Sequence, residues 1–93
     1  GARIPLQHAA KAWLVQALGL LVAGRVVVID YADETPSLAA RPWTDWLRTY
    51  RGHERAGHPL DAPGSADITC DVAVDQLADH LHQRFHETRQ WLA

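Results

Sequence analysis

Residues 24–31 (GRVVVIDY) constrain the fold more than any other stretch. Val26, Val27, Val28 and Ile29 form an unbroken β-branched run with no polar alternation. A half-solvated strand alternates apolar and polar residues. This run does not, which predicts a strand buried on both faces, as in the centre of a parallel sheet flanked by helices. Residues 7–22, just before it, read as a helix. Ala9, Ala10, Ala12, Trp13, Leu14, Ala17, Leu18, Leu20 and Leu21 cover most of its circumference, and His8, Lys11, Gln16 and Gly19 leave a narrow polar stripe. Such a helix is expected to pack on most sides. Ala23 and Gly24 end it, with Gly24 suited to a left-handed C-terminal position. Helix, glycine turn and buried strand make half of a βαβ unit and predict the α/β class. A parallel strand needs parallel neighbours, and no second run of this kind occurs in the 93 residues. The expectation is one partial domain over residues 1–93, its other strands supplied by a longer parent chain or by a second copy.

Further along, residues 32–42 read as a loop containing Pro36 and Pro42. Trp43, Trp46, Leu47 and Tyr50 fall at i, i+3, i+4 and i+7, which predicts a short amphipathic helix with an aromatic stripe. Residues 51–65 are polar and turn-rich. Residues 67–74 alternate, with Ile68, Cys70, Val72 and Val74 on one face and Thr69, Asp71 and Ala73 on the other. That predicts a half-exposed strand near a sheet edge. From Asp75, a plausible N-cap, Leu77, Leu81, Phe85, Thr88 and Leu92 follow helical spacing.

A net charge of -2 gives no support to a nucleic-acid partner. The single cysteine, Cys70, rules out an internal disulfide and a zinc site built on cysteines, and it suits a reducing compartment. The apolar stretch at residues 12–23 is interrupted by Gln16 and Gly19 and is too short to span a bilayer, and no basic region precedes it. A soluble, cytoplasmic chain with no membrane partner is expected.

Several residues are candidates for chemistry. Asp30 and Tyr31 end the apolar run, where open α/β sheets bind ligands, and Asp30 either lines a site or caps a turn. Arg48, Thr49, Tyr50, Arg51, Gly52 and His53 form a dense polar cluster. It either holds an anion or substrate, or is a solvated loop whose arginines pair with acids such as Asp45 and Glu54. His82 and His86 stand at i, i+4 and could share a metal, but no Glu follows the first His as in zinc-protease helices, so an exposed polar face is expected and no metal site. Cys70 reads as an inert buried thiol, and Trp43 and Trp46 as core anchors.

Three motifs in this order, Gly24–Tyr31 (GRVVVIDY), Leu47–His53 (LRTYRGH), and Pro63-Gly64 with Asp67-Ile68-Thr69, resemble the MidA-like proteins. These are S-adenosylmethionine-dependent methyltransferases that include a mitochondrial complex I assembly factor. The resemblance covers most of residues 3–77, with Arg3-Ile4-Pro5 and the first helix suiting the region before the strand. It implies a partial Rossmann-like fold, S-adenosyl-L-methionine as cofactor of the parent protein, and a protein side chain, arginine by analogy, as acceptor. It also implies Asp30 and His53 as catalytic candidates, and Tyr31, Arg48, Asp67 and Thr69 on the substrate side. The sequence departs from the family pattern at Ala32, where Gly is usual, at Trp46, at Cys70 and Asp71, where Ala and His are usual, and at Ala73 and Val74. A divergent bacterial subfamily fits these differences. No strand–Gly-rich loop–helix unit is present, so the chain resembles only the later part of the catalytic domain. A different class of function, a non-catalytic module that self-associates through unpaired sheet edges, is also compatible with the residues.

Overall fold

The structure, a computed structural model, describes residues 1–78. Helix α1 spans His8–Gly19 and begins at Gln7, whose carbonyl accepts the first helical bond from Lys11. It ends three residues earlier than its apolar pattern predicts, with Gly24 at φ +117° in the turn that follows. Residues 25–31 then lead into β1 (Ala32–Asp33). Helix α2 (Thr35–Ala40) follows, with Pro36 in its first turn, where proline's missing N–H costs nothing. It occupies the stretch expected to be a loop. Next come α3 (Trp43–Trp46), β2 (Leu47–Arg51) and β3 (Glu54–Arg55). The described residues close with β4 (Asp67–Cys70), β5 (Val72–Ala73) and the start of α4 (Val74–Ala78).

Two small sheets result. In one, β1 and β5 pair parallel, with Ala32 opposite Val72 and Asp33 opposite Ala73. The other is antiparallel, in the order β3-β2-β4, with Leu47 opposite Cys70 and Tyr50 opposite Asp67. The chain is therefore mixed α/β, as expected, and β4 does lie at a sheet edge.

Four expectations are corrected. Residues 25–31 form no strand and are not buried: Val27 is 76% and Ile29 88% exposed. Parallel pairing is confined to the two residues beyond the run. Strand burial depends on neighbours, and among the described residues the backbone of Val26 to Ile29 bonds to no other segment. Helix α1 is likewise not packed on most sides, since Leu14 is its one buried residue and Trp13, Val15 and Leu20 are exposed. The aromatic helix stops at Trp46, and Leu47–Arg51 becomes a strand. Thr49 and Tyr50 are good strand formers, and their ladder with β4 outweighs the helical spacing. The predicted strand 67–74 breaks at Asp71, whose N–H donates to the Trp46 carbonyl at 2.9 Å, so that β5 leaves the antiparallel sheet and joins β1.

The core is small. Leu38 is fully buried against Trp46 and Ala73, with Trp43, Leu47 and Cys70 packed around them. Trp46 also donates its indole N–H to the Leu38 carbonyl at 3.1 Å, which satisfies its one polar atom. Both tryptophans of the aromatic stripe thus serve packing, as expected.

Candidate functional site

The carboxyl ends of β1 and β5 face the first turns of α2 and α4, the position where parallel sheets present polar groups to a ligand. Asp33 ends β1. Its Oδ1 accepts the Glu34 N–H at 2.8 Å, and its Oδ2 accepts the Ser37 hydroxyl at 2.6 Å and Arg41 Nη2 at 3.3 Å. Arg41 lies 4.0 Å from Asp71, and Asp71 accepts Arg48 Nη2 at 2.5 Å. The result is an alternating relay, Asp33, Arg41, Asp71, Arg48, linking the parallel pair to the antiparallel sheet. Bonding to Asp71 raises the Arg48 pKa, so this guanidinium stays fully charged. Asp75 accepts both the N–H and the hydroxyl of Thr35 at 2.9 Å. The residue expected to cap the C-terminal helix instead caps α2 from outside, because α4 begins one residue earlier, at Val74.

The sequence-predicted residues fall into three places. Asp30 and Tyr31 lie exposed just before β1. Asp30 Oδ1 accepts the N–H of its neighbour Tyr31 at 2.7 Å, and the Tyr31 carbonyl accepts the Val72 N–H at 2.8 Å. Arg48 and Thr69 face each other across the β2–β4 ladder, while Asp67 stands opposite Tyr50 at its far end. Arg48 Nη1 also donates to the Asp45 carbonyl at 2.8 Å, so both ends of its guanidinium fork bond within the fold. Of the expected acids, Asp45 contributes its backbone oxygen only. Exposed His53 sits in the β2–β3 turn at φ +70°, a left-handed conformation that histidine adopts more readily than most non-glycine residues. The structure thus pairs Arg48 with Thr69 and leaves Asp30 and His53 on separate elements. His82 and His86 lie outside the described residues. Among the described residues, no group of three His, Cys, Asp or Glu side chains is placed to hold a metal.

Cys70 is half-buried, and burial pushes its thiol pKa up, opposed by a hydrogen bond from Gln7. That suits an inert thiol and not a nucleophile. A feature that residue spacing missed is a shallow cavity of about 210 Å³ lined by Arg3, Trp43, Leu47, His58 and Leu60 among others. The Arg3 guanidinium lies 5.7 Å from the Trp43 ring centre, and the His58 ring meets Trp43 edge-on at 5.3 Å. His58 Nδ1 accepts the Leu60 N–H at 3.1 Å. Arg3 is distant in sequence from the other two, so no local pattern could have joined them.

A Gly-rich cradle for a nucleotide-like cofactor is not among the described residues. Glu34 alone joins β1 to α2, and β5 runs straight into α4. The left-handed glycines Gly24, Gly52 and Gly64 stand in turns that do not connect a paired parallel strand to a helix. These residues do not fit S-adenosylmethionine by themselves. Among the described residues no helix is long and apolar enough to cross a membrane.

A protein-family model described as "putative S-adenosyl-L-methionine-dependent methyltransferase" matches residues 1–92. No curated protein and no solved structure matches the chain.

Proposed function

Because the chain belongs to this family of S-adenosyl-L-methionine-dependent methyltransferases, we propose that it is the later, acceptor-side part of a Rossmann-like, MidA-like catalytic domain whose parent methylates a protein side chain, arginine by analogy. The family match over residues 1–92 carries this reading. Two structural features support it. The apolar run at residues 25–31 is built for neighbours that the described residues lack, and the carboxyl end of the parallel pair carries carboxylates. The family implies S-adenosyl-L-methionine as cofactor. Its cradle belongs to the other half of the domain, so the residues here act on the acceptor alone.

For a guanidinium acceptor, that task is to hold a cation and accept a proton. Asp30, exposed at the approach to β1, is the cation-holding candidate, with Tyr31 beside it. Asp67 and Thr69 on β4 offer a second polar edge. His53, exposed in the β2–β3 turn, is the proton-accepting candidate.

The test uses the parent protein with isotopically labelled S-adenosylmethionine and a protein acceptor, followed by acid hydrolysis. Label should appear in methylarginine and fall in Asp30→Asn. Label confined to another residue type overturns the arginine assignment, and no transfer overturns the enzyme reading. The 93-residue chain should show no micromolar cofactor binding by calorimetry; such binding would sink the claim that it is only the acceptor half.

A further inference from the structure

We propose that residues 25–30 pair antiparallel with the same residues of a second copy, in the register that sets Arg25 of one copy opposite Asp30 of the other. This pairing concerns the 93-residue chain by itself: in the proposed parent domain the same run would be covered by that domain's other half, so a dimer of the chain leaves the methyltransferase reading untouched.

The segment is apolar, belongs to neither sheet, and is exposed along most of its length. Among the described residues, the backbone of Val26 to Ile29 makes no hydrogen bond to another segment. Unpaired backbone in an apolar, β-branched run that leads into a strand is a template for another strand. The charges at its ends select the partner. In the sequence Arg-Val-Val-Val-Ile-Asp, a parallel, in-register copy would put Arg25 beside Arg25 and Asp30 beside Asp30. An antiparallel copy centred between Val27 and Val28 pairs Arg25 with Asp30, Val26 with Ile29 and Val27 with Val28, and does so twice by symmetry. Opposite charges directly across an antiparallel pair stabilise it, and like charges destabilise it. A slip by one residue sets Arg25 against Ile29 or Tyr31 and loses both ion pairs. The register is thus self-complementary, as a two-fold interface requires.

An isolated two-stranded ribbon is marginal in water. Here each strand of the pair runs directly into β1, which β5 already holds by parallel pairing. Joining two copies would produce one sheet of four strands. Gly24, at φ +117°, sets the outer limit of the pairing, because that backbone conformation leaves the strand region.

The test is sedimentation equilibrium on the 93-residue chain across a concentration series at low and at high salt. A concentration-dependent dimer is expected, weaker at high salt because the pairs are exposed. Arg25→Asp should raise the dimer dissociation constant by about tenfold, as should Asp30→Arg. The double variant R25D/D30R should return to near the wild-type value, since only this register exchanges both partners together. Both side chains are exposed, so folding is spared, and circular dichroism checks this. A monomer at every concentration, single variants equal to wild type, or a double variant weaker than either single one overturns the proposal.

Discussion

The side-chain amide of Gln7 stands beside Ala73 as a neighbouring strand would. Its Oε1 accepts the Ala73 N–H at 2.7 Å, and its Nε2 donates to the Asp71 carbonyl at 2.7 Å. One edge of β5 is paired with β1, and a glutamine from the start of α1 satisfies the other. Gln76 completes the link: its Oε1 accepts the Gln7 N–H at 3.0 Å, and its Nε2 donates to the Pro5 carbonyl at 2.8 Å.

Gln7→Ala should therefore destabilise the chain by about 2–3 kcal/mol, because it strands a backbone donor and an acceptor that are partly buried. Urea denaturation monitored by circular dichroism measures it. Gln7→Glu should be nearly as costly, since a carboxylate cannot donate to the Asp71 carbonyl. Wild-type stability in both variants would show that the bridge is incidental.

The contact between Arg48 and Asp71 at 2.5 Å is charge-assisted and mostly shielded from solvent. Asp71→Ala should cost about 2 kcal/mol, with part of that loss arising from the two arginines it leaves behind. A double-mutant cycle with Arg48→Ala should give a coupling of about 1 kcal/mol by denaturation. A coupling of zero would place the pair among inert surface contacts.

Leu38 is fully buried, and its carbonyl accepts the Trp46 indole. Leu38→Ala should cost about 3 kcal/mol through lost burial and the cavity it leaves. Trp46→Phe should cost less, about 1–2 kcal/mol, since it keeps most of the ring volume but leaves the Leu38 carbonyl without its donor. The ordering of the two midpoints in a thermal melt is the readout.

Burial raises the Cys70 pKa above its ordinary 9.0. The folded state therefore holds the thiol proton more tightly than the unfolded state. This contribution is fully present below pH 9 and is lost as pH rises through the folded value. Wild type should lose more stability than Cys70→Ala between neutral pH and pH 10. Equal slopes for the two would show that Cys70 does not titrate differently on folding. Alkylation of Cys70 at neutral pH should also be slow relative to a free thiol.

The local pattern was enough for much of this chain. The apolar pattern of residues 7–22 predicts α1, alternation predicts β4 at a sheet edge, and the motifs around Asp30, Tyr50 and Pro63 point to the methyltransferase family that the family match supports. Local pattern reports what a residue could bury. It does not report whether anything arrives to cover it. The run at residues 25–31 has the composition of a central strand and is exposed, because burial requires neighbours. Nor could spacing show that Leu47 leaves a helix for a ladder with Cys70, that Asp71 splits one strand between two sheets, or that Arg3, Trp43 and His58 meet. Gln7 is the clearest case. In the sequence it is a polar residue at a helix start. Only the tertiary structure carries it 66 positions along the chain to Ala73, where an amide has the same donor and acceptor geometry as a strand's backbone.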